Sequence, residues 1–323
     1  MTTTTDRPQP AVALPAAGPP PGPAIEVEHL VKRYGNHVAV HDVSFTVAPG
    51  EVFGILGPNG AGKTSAVECL QGLRRPDGGR VRVLGLDPQA DASALRRRIG
   101  SQLQDSALPD RMRVWEALDL FASLAPGGRD PGDLLKEWGL VDSRDRAFAD
   151  LSGGQRQRLF VALALVGRPE VVFLDELTQG LDPAARRVAW SLVREVRDRG
   201  TTVVLVTHHM DEAQRLCDRL AVVAAGRVVA QGTAQELIAR SGGGLAVRFA
   251  TNRPDVSWLE DLEPVESVQR RGAQVEVRGH GPVLAVVAAA LVRQGETPVD
   301  LRVEQPSLED VYMQLTTPQE DRI

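Results

Sequence analysis

Gly57-Pro58-Asn59-Gly60-Ala61-Gly62-Lys63-Thr64 is the stretch on which the reading of this chain turns. It follows Val52-Phe53-Gly54-Ile55-Leu56, an apolar run of strand length, and precedes a pattern from Thr64 through Leu73 that reads as a helix. The glycines therefore fall at a strand-to-helix turn, where backbone N–H groups and the positive end of the helix dipole point at an anion. Gly57, Gly60 and Gly62 lack a Cβ, so the backbone can take left-handed conformations and approach phosphate oxygens closely. The spacing G-x-x-x-x-G-K-[ST] aims Lys63 at the β- and γ-phosphates of a nucleotide and gives the Thr64 hydroxyl to Mg²⁺, an ion that keeps several waters and takes few protein ligands. Alone, the pattern says only that a nucleotide binds.

A second element carries the acids. Val171-Val172-Phe173-Leu174-Asp175-Glu176 is a continuous apolar run suited to a strand buried on both faces of a parallel sheet, with its two carboxylates where the strand leaves the core. Ligands of such sheets sit at the carboxyl ends of strands. Asp175 is expected to hold the Mg²⁺ shell, and Glu176 to orient the attacking water or take its proton. Further along, Leu151-Ser152-Gly153-Gly154-Gln155 opens another helix. Ser152 can cap it, while Gly153 and Gly154 expose backbone donors at its positive end, which makes a second anion site.

With these three motifs the chain resembles the nucleotide-binding subunit of an ATP-binding cassette (ABC) transporter; Leu151 to Gln155 matches that family's signature letter for letter. The resemblance implies an α/β P-loop NTPase fold: a RecA-like parallel sheet, an antiparallel β subdomain and an inserted α-helical subdomain. It implies ATP and Mg²⁺ as cofactors and a head-to-tail homodimer in which Ser152, Gly153, Gly154 and Gln155 close over the ATP held by the second copy. By the same resemblance the phosphate loop from Gly57 through Thr64, with Pro58, Asn59, Ala61 and Ser65, binds nucleotide, and Tyr34 stacks on adenine. Gln104 contacts Mg²⁺ and the water and relays to the membrane partner, with Gln102 a nearby competitor. Asp182, in Gly180-Leu181-Asp182-Pro183, communicates across the dimer, and His208 fixes the γ-phosphate and water, a role for which its neighbour His209 fits less well by spacing to Asp211-Glu212-Ala213.

Two positions depart from the family. Glu176 is usually followed by proline and then, at the next polar place, by serine; here they are Leu177 and Gln179. Proline presets the path out of the site, so its loss could loosen the aim of Glu176. Leucine there also occurs in the branch that resembles daunorubicin-type drug exporters, which implies export through a separate ABC-2-type permease, with the chain at the cytoplasmic face of the membrane and touching it only through that permease. The rival reading is a soluble ABC-type ATPase acting on ribosomes or DNA. Such relatives usually carry two cassettes, a long coiled coil or zinc modules, and none is visible.

Composition is close to soluble-protein averages and can bury one large core plus a smaller one: 323 residues, 42% hydrophobic and 24% charged. A net charge of −5 and a pI near 5.8 give no overall electrostatic reason to bind nucleic acid. Arg96-Arg97-Arg98 reads as a solvated helix face, and Cys69 and Cys217 offer neither metal spacing nor a disulfide framework. The longest apolar stretch, Pro282 to Val292, is about half the ~20 residues that cross a bilayer. Residues 1–24, rich in Thr, Ala and Pro, read as a disordered tail and not a targeting signal. The cassette is expected over 25–240, with helical character at about 95–167, a linker at 241–244, and a small α+β domain over 245–317 before a tail at 318–323. That last domain reads as strand, helix (Val256–Asp261), two strands, helix (Val283–Arg293) and strand (Val299–Val303), the order of a ferredoxin-like split fold. Ser307 and Asp310 then form a capping box for a final helix.

Overall fold

The computed structural model describes residues 22–103, 106–125, 127–240, 244–298, 300–304 and 307–316. In chain order come β1 (Ile25–Tyr34), β2 (His37–Val47), β3 (Val52–Leu56), α1 (Lys63–Leu70), β4 (Gly78–Val83), α2 (Ala92–Arg96) and β5 (Ile99–Gln102). A helical stretch follows with α3 (Val114–Leu124), α4 (Pro131–Glu137) and α5 (Gly153–Leu165). The chain then alternates through β6 (Val171–Asp175), α6 (Pro183–Asp198), β7 (Thr202–Thr207), α7 (Met210–Leu216), β8 (Arg219–Ala224), β9 (Arg227–Gly232) and α8 (Ala234–Arg240).

These strands form one sheet in the order β4-β1-β2-β9-β8-β3-β7-β6-β5. Its β8-β3-β7-β6-β5 portion is parallel, whereas β1, β2 and β4 pair antiparallel. Every residue of β3, β6 and β7 is buried, which explains their unbroken apolar sequences: helices cover both faces of a parallel sheet. One face carries Phe53, Ile55, Phe173 and Val204 against the antiparallel strands and α1; the other carries Val172, Leu174 and Leu205 against α5 and α6. Asp182 caps α6 by accepting from the N–H groups of Ala184 and Ala185, and Pro183 follows at the first helical position, where no N–H is needed.

The structure corrects several boundaries. The stretch from 95 opens with α2's end and β5, which pairs in parallel with β6, so the helical lobe proper begins only at α3. Four residues with two small members, Gly100 and Ser101, carry too little apolar signal to announce an edge strand. Arg98 lies beyond α2 and pairs with Glu170, so the three arginines do not share one solvated helix face. The expected tail is also shorter at its C-terminal end: Ala24 is buried, donates to the Val47 carbonyl and accepts from Leu84 N–H. Residues 1–21, 241–243 and 317–323 lie outside the described residues.

The last domain contains β10 (Leu245–Ala250), β11 (Val265–Arg271), β12 (Gln274–Gly279), α9 (Val283–Arg293) and β13 (Arg302–Glu304), then α10 (Leu308–Thr316). The four strands are antiparallel in the order β11-β12-β10-β13, the arrangement of a ferredoxin-like split fold. Its first helix is reduced to a 3₁₀ turn at Ser257–Leu259 instead of the expected Val256–Asp261. Asp255 takes the N–H and hydroxyl of Ser257, a local side-chain bond that competes with helix growth. The final strand is shorter than expected, and Val299 lies outside the described residues. Ser307 and Asp310 exchange reciprocal hydrogen bonds as a capping box, and Leu308 and Val311 of α10 return to the cassette to pack with Leu56, Ala213, Leu220 and Leu237. Among the described residues no helix is long and apolar enough to cross a membrane.

Gly100 lets α5 lie directly on β5: a Cβ there would stand 2.0 Å from the Ala164 carbonyl oxygen. Gly100→Ala is therefore expected to destabilise the cassette by about 1–3 kcal/mol, seen as a lower urea midpoint at unchanged slope.

Candidate nucleotide site

The site forms where three adjacent strands end level. Leu56 of β3 lies opposite Thr207 of β7, and Asp175 of β6 opposite Val206, so the residues just beyond them converge. The glycine-rich turn leaves β3 and enters α1 with Gly60 and Gly62 in left-handed backbone, φ 81° and 95°. Packing adds a second reason for two of these glycines. A Cβ on Gly57 would meet the Val223 carbonyl oxygen at 2.2 Å, and one on Gly62 the Ala39 carbonyl oxygen at 2.2 Å. Pro58, Asn59 and Gly60 stand exposed on the turn, Ala61 is buried beneath it, and Ser65 is half-buried in the first turn of α1.

Lys63 is 5% exposed and donates from Nζ to the Pro58 carbonyl at 2.9 Å. Burial pushes its pKa down, opposed by the carboxylates of Glu176 and Asp175. A buried ammonium is tolerated only with such partners, and its hydrogen bond to Pro58 is one that a phosphate oxygen can replace. The Thr64 hydroxyl donates to Asp175 Oδ2 at 3.3 Å, which joins two hard oxygen groups from positions 111 apart.

Glu176 has a left-handed backbone, φ 51°, uncommon for a residue with a side chain, and its N–H is held by the Val206 carbonyl at 2.9 Å. Its carboxylate lies 3.0 Å from Nδ1 of half-buried His208. A carboxylate only accepts, so Nδ1 is the donor, and the other ring nitrogen remains for a further partner. His209 is a separate matter: its backbone N–H bonds Thr207 Oγ1, its ring centroid lies 4.1 Å from that of His208, and burial pushes its pKa down, with the neighbouring ring adding to the effect. Leu177, in place of proline, is 1% exposed and belongs to the main core, where it anchors the chain just after Glu176.

Gln102, the competitor of Gln104 in the sequence, has its place in the structure. Buried at the end of β5, it donates from Nε2 to the Asp175 carbonyl at 3.2 Å and to the Leu103 carbonyl at 3.0 Å. The available signal was its place at the end of a strand beside β6, which the helical reading of that stretch concealed. Gln104 lies outside the described residues.

Among the described residues, the expected positions Ser152, Gly153, Gln155 and Tyr34 make no hydrogen bond to this cluster. Ser152 caps α5 in a capping box, accepting from Gln155 N–H at 3.3 Å while Gln155 Oε1 accepts from Ser152 N–H at 2.9 Å. The remaining amide nitrogen of Gln155 donates to Ser143 Oγ, so that side chain is committed to holding the helix start. Ser152 and Gly153 are exposed, and no hydrogen bond among the described residues joins them to the chain's own phosphate loop. Tyr34 is 40% exposed, with its hydroxyl 3.4 Å from Glu68 and its ring near Lys32 and Arg74. Lys32 is held by Asp77 and the Arg75 carbonyl, which fixes the strand that carries Tyr34.

Known proteins resemble this chain over most of its length. The family model described as "ABC transporter" matches residues 40–179. Daunorubicin resistance ATP-binding protein DrrA3 of Streptomyces coeruleorubidus is 40% identical over 91% of this chain and 96% of its own length. Nod factor export ATP-binding protein I of Paraburkholderia xenovorans is 38% identical over 92% of this chain and 98% of its own. A solved dimeric structure of a bacterial ABC transporter cassette superposes with a TM-score of 0.58 at 25% identity, over 65% of this chain and 98% of that one.

The two backbone N–H groups that bind Asp182 hold its carboxyl below the usual carboxylate range. A depressed folded-state pKa means that the cap's contribution is present above the ordinary value and is lost as pH falls through the depressed one. Protection of the Ala184 and Ala185 amides, that is exchange measured against the intrinsic rate at each pH, should therefore fall on acidification, and in Asp182→Asn, whose side-chain carbonyl caps without titrating, this step should be absent.

Proposed function

Because the chain belongs to the family of ATP-binding subunits of ABC transporters, we propose that it drives export through a separate membrane-spanning permease by closing as a homodimer around ATP and reopening after hydrolysis. It is an ATPase of that family, and the observation that carries the mechanism is the convergence of Lys63, Thr64, Asp175, Glu176 and His208 at three strand ends. Both similar proteins named above carry resistance or export in their names, and Leu177 marks the same branch. Nothing in these comparisons favours a soluble ATPase acting on ribosomes or DNA.

Phosphoryl transfer asks a protein mainly for positioning and charge stabilisation. Backbone N–H groups of Gly60 through Thr64 and the start of α1 receive the β- and γ-phosphates, and Lys63 exchanges the Pro58 carbonyl for phosphate oxygens. Tyr34 offers a ring face to the adenine. Thr64 and Asp175 fit Mg²⁺, since both present hard oxygens within one coordination shell's reach; the ion would neutralise phosphate charge there. Glu176 orients the attacking water and accepts its proton as the oxygen bonds to the γ-phosphorus and the bridge to ADP breaks. His208 holds Glu176 by Nδ1–H and, when the ring carries its second proton, donates from Nε2 to the γ-phosphate.

Ser152 and Gly153 are exposed, and among the described residues neither is hydrogen-bonded to the phosphate loop of its own chain, which suits donation to the ATP of a second copy. Moving the pair from 1:99 to 99:1 closed takes about 5.5 kcal/mol of differential binding, a sum that a few charge-assisted hydrogen bonds at each of two triphosphates can supply. The permease is assigned to the groove of about 560 Å³ between the end of β5 and the helical lobe. Leu73, Leu103, Phe121 and Leu124 are exposed along it, an apolar surface that a cytoplasmic segment of the permease would cover. Gln102, at its edge, bonds the Asp175 carbonyl, so movement in the groove reaches the phosphate site through one strand end. This docking would hold the chain at the cytoplasmic face of the membrane.

In the purified complex, Glu176→Gln is expected to lower ATP hydrolysis about 10²- to 10⁴-fold while ATP binding persists. Normal turnover by that variant would remove Glu176 from the role of base.

A further inference from the structure

Glu212, at the third position of α7, is 0% exposed, the lowest of any acid among the described residues, and the chemistry described above does not use it. A glutamate at that place ordinarily turns back to the backbone N–H of the residue that caps its own helix. Here that N–H, on His209, is taken by Thr207 Oγ1 at 3.0 Å, and Glu212 reaches outward instead. Its Oε1 accepts from the indole Nε1–H of buried Trp190, on α6, at 3.2 Å. The other oxygen, Oε2, has no hydrogen-bond partner among the described residues, so the carboxylate depends on this one indole. We infer that Glu212 is a positioning residue for hydrolysis: by holding Trp190 it fixes α7 against α6, and with α7 the aim of His208, which stands just before the cap of that helix. The role rests on the reading of His208 as the residue that holds Glu176 and the γ-phosphate.

With seven residues, α7 is too short to hold a direction by itself, so its bearing comes from its neighbours. Ala213 packs in the cluster that contains Leu56, and Leu216 in the main core that also holds Trp190. Three further contacts join α7 to α6. Arg194 donates to the Arg215 carbonyl at 3.1 Å, the Arg215 guanidinium lies over the Trp190 ring at 5.6 Å, and Arg186 pairs with Asp211 at 3.7 Å. Those three are open to solvent, where water replaces a lost partner at little cost. The bond from Trp190 to Glu212 is closed to it, and breaking it leaves a buried polar group unpaired. His208 keeps Nδ1 3.0 Å from the Glu176 carboxylate, and a displacement of about 1 Å at such a group can cost about 10² in rate. Because α6 begins at Asp182, the same bond makes His208 follow the Gly180–Asp182 turn.

The test is steady-state ATP hydrolysis by the purified complex with Glu212 replaced. Glu212→Leu keeps the bulk and removes the acceptor; it is expected to lower kcat about 10-fold while KM for ATP changes by less than about twofold. Glu212→Gln, whose amide carbonyl still accepts from the indole, should restore kcat to within about threefold of the parent. Action through His208 leaves a further mark: in a His208→Ala background, Glu212→Leu should take nothing more from the residual rate. If Glu212→Leu does not fold, Trp190→Phe breaks the same bond from α6 and should show the same fall in kcat and the same dependence on His208. The assignment is overturned if the variant that breaks the bond keeps the parent kcat, if Glu212→Gln falls as far as Glu212→Leu, or if the loss is undiminished without His208. Each of these leaves the role of His208 standing, whereas parent turnover by His208→Ala removes that role and this one together.

Discussion

The register of β3, β7 and β6 is the constraint on which the rest of this molecule depends. Pairing Leu56 with Thr207 and Val206 with Asp175 brings three strand ends to one level; two are followed at once by a polar residue, Glu176 and His208, and the third opens the glycine turn that leads to Lys63 and Thr64. A slip of one residue in any pairing would move each side chain to the opposite face of the sheet, into the wrong one of two packed cores, and separate Thr64 from Asp175. The charges also depend on one another. Asp175 and Glu176 are neighbours in sequence and nearly excluded from solvent, and the ammonium of Lys63 between the loop and the strand offsets both.

Much of this was legible because the parallel core writes itself as continuous apolar runs. Val52–Leu56 has the observed strand bounds, the run read from Val171 to Glu176 forms a strand as far as Asp175, and the Ser152 and Ser307 caps follow from spacing of one oxygen acceptor to a partner three residues on. Hidden features were those in which a neighbour distant in sequence decides the outcome. β5 is too short and too rich in small residues to show a period, and only its pairing with β6 makes it a strand. Gln102 then reaches Asp175 because of that pairing. Gly57 and Gly62 looked like phosphate-loop glycines, yet the carbonyls of Val223 and Ala39 also require them. Gln155 looked like part of an anion site, whereas its side chain is committed to Ser152 and Ser143.

Leu177 shows how a family departure is accommodated. Proline would stiffen the path after Glu176 by fixing one backbone torsion. Leucine does so by burial: the side chain is fixed in the main core, while the Val206 carbonyl pins the Glu176 N–H and the Gln179 N–H returns to the Glu176 carbonyl. The unusual φ of Glu176 is thus held from both sides. The same leucine also lines a cavity between α5 and α6, so one substitution joins the catalytic turn to an apolar space that a proline ring would line differently.

The return of α10 onto the cassette changes what counts as a domain. By sequence the cassette stops at Arg240, yet Leu308 and Val311 complete the apolar cluster that contains Leu56, the last strand residue before the phosphate loop, and Ala213 on the helix after His208. A fragment cut at the linker would keep Lys63, Asp175, Glu176 and His208 and still be missing a wall of its own interior. The natural unit of expression is therefore not the cassette with an appendage but a closed circuit, in which the final helix seals the floor beneath the first phosphate contact.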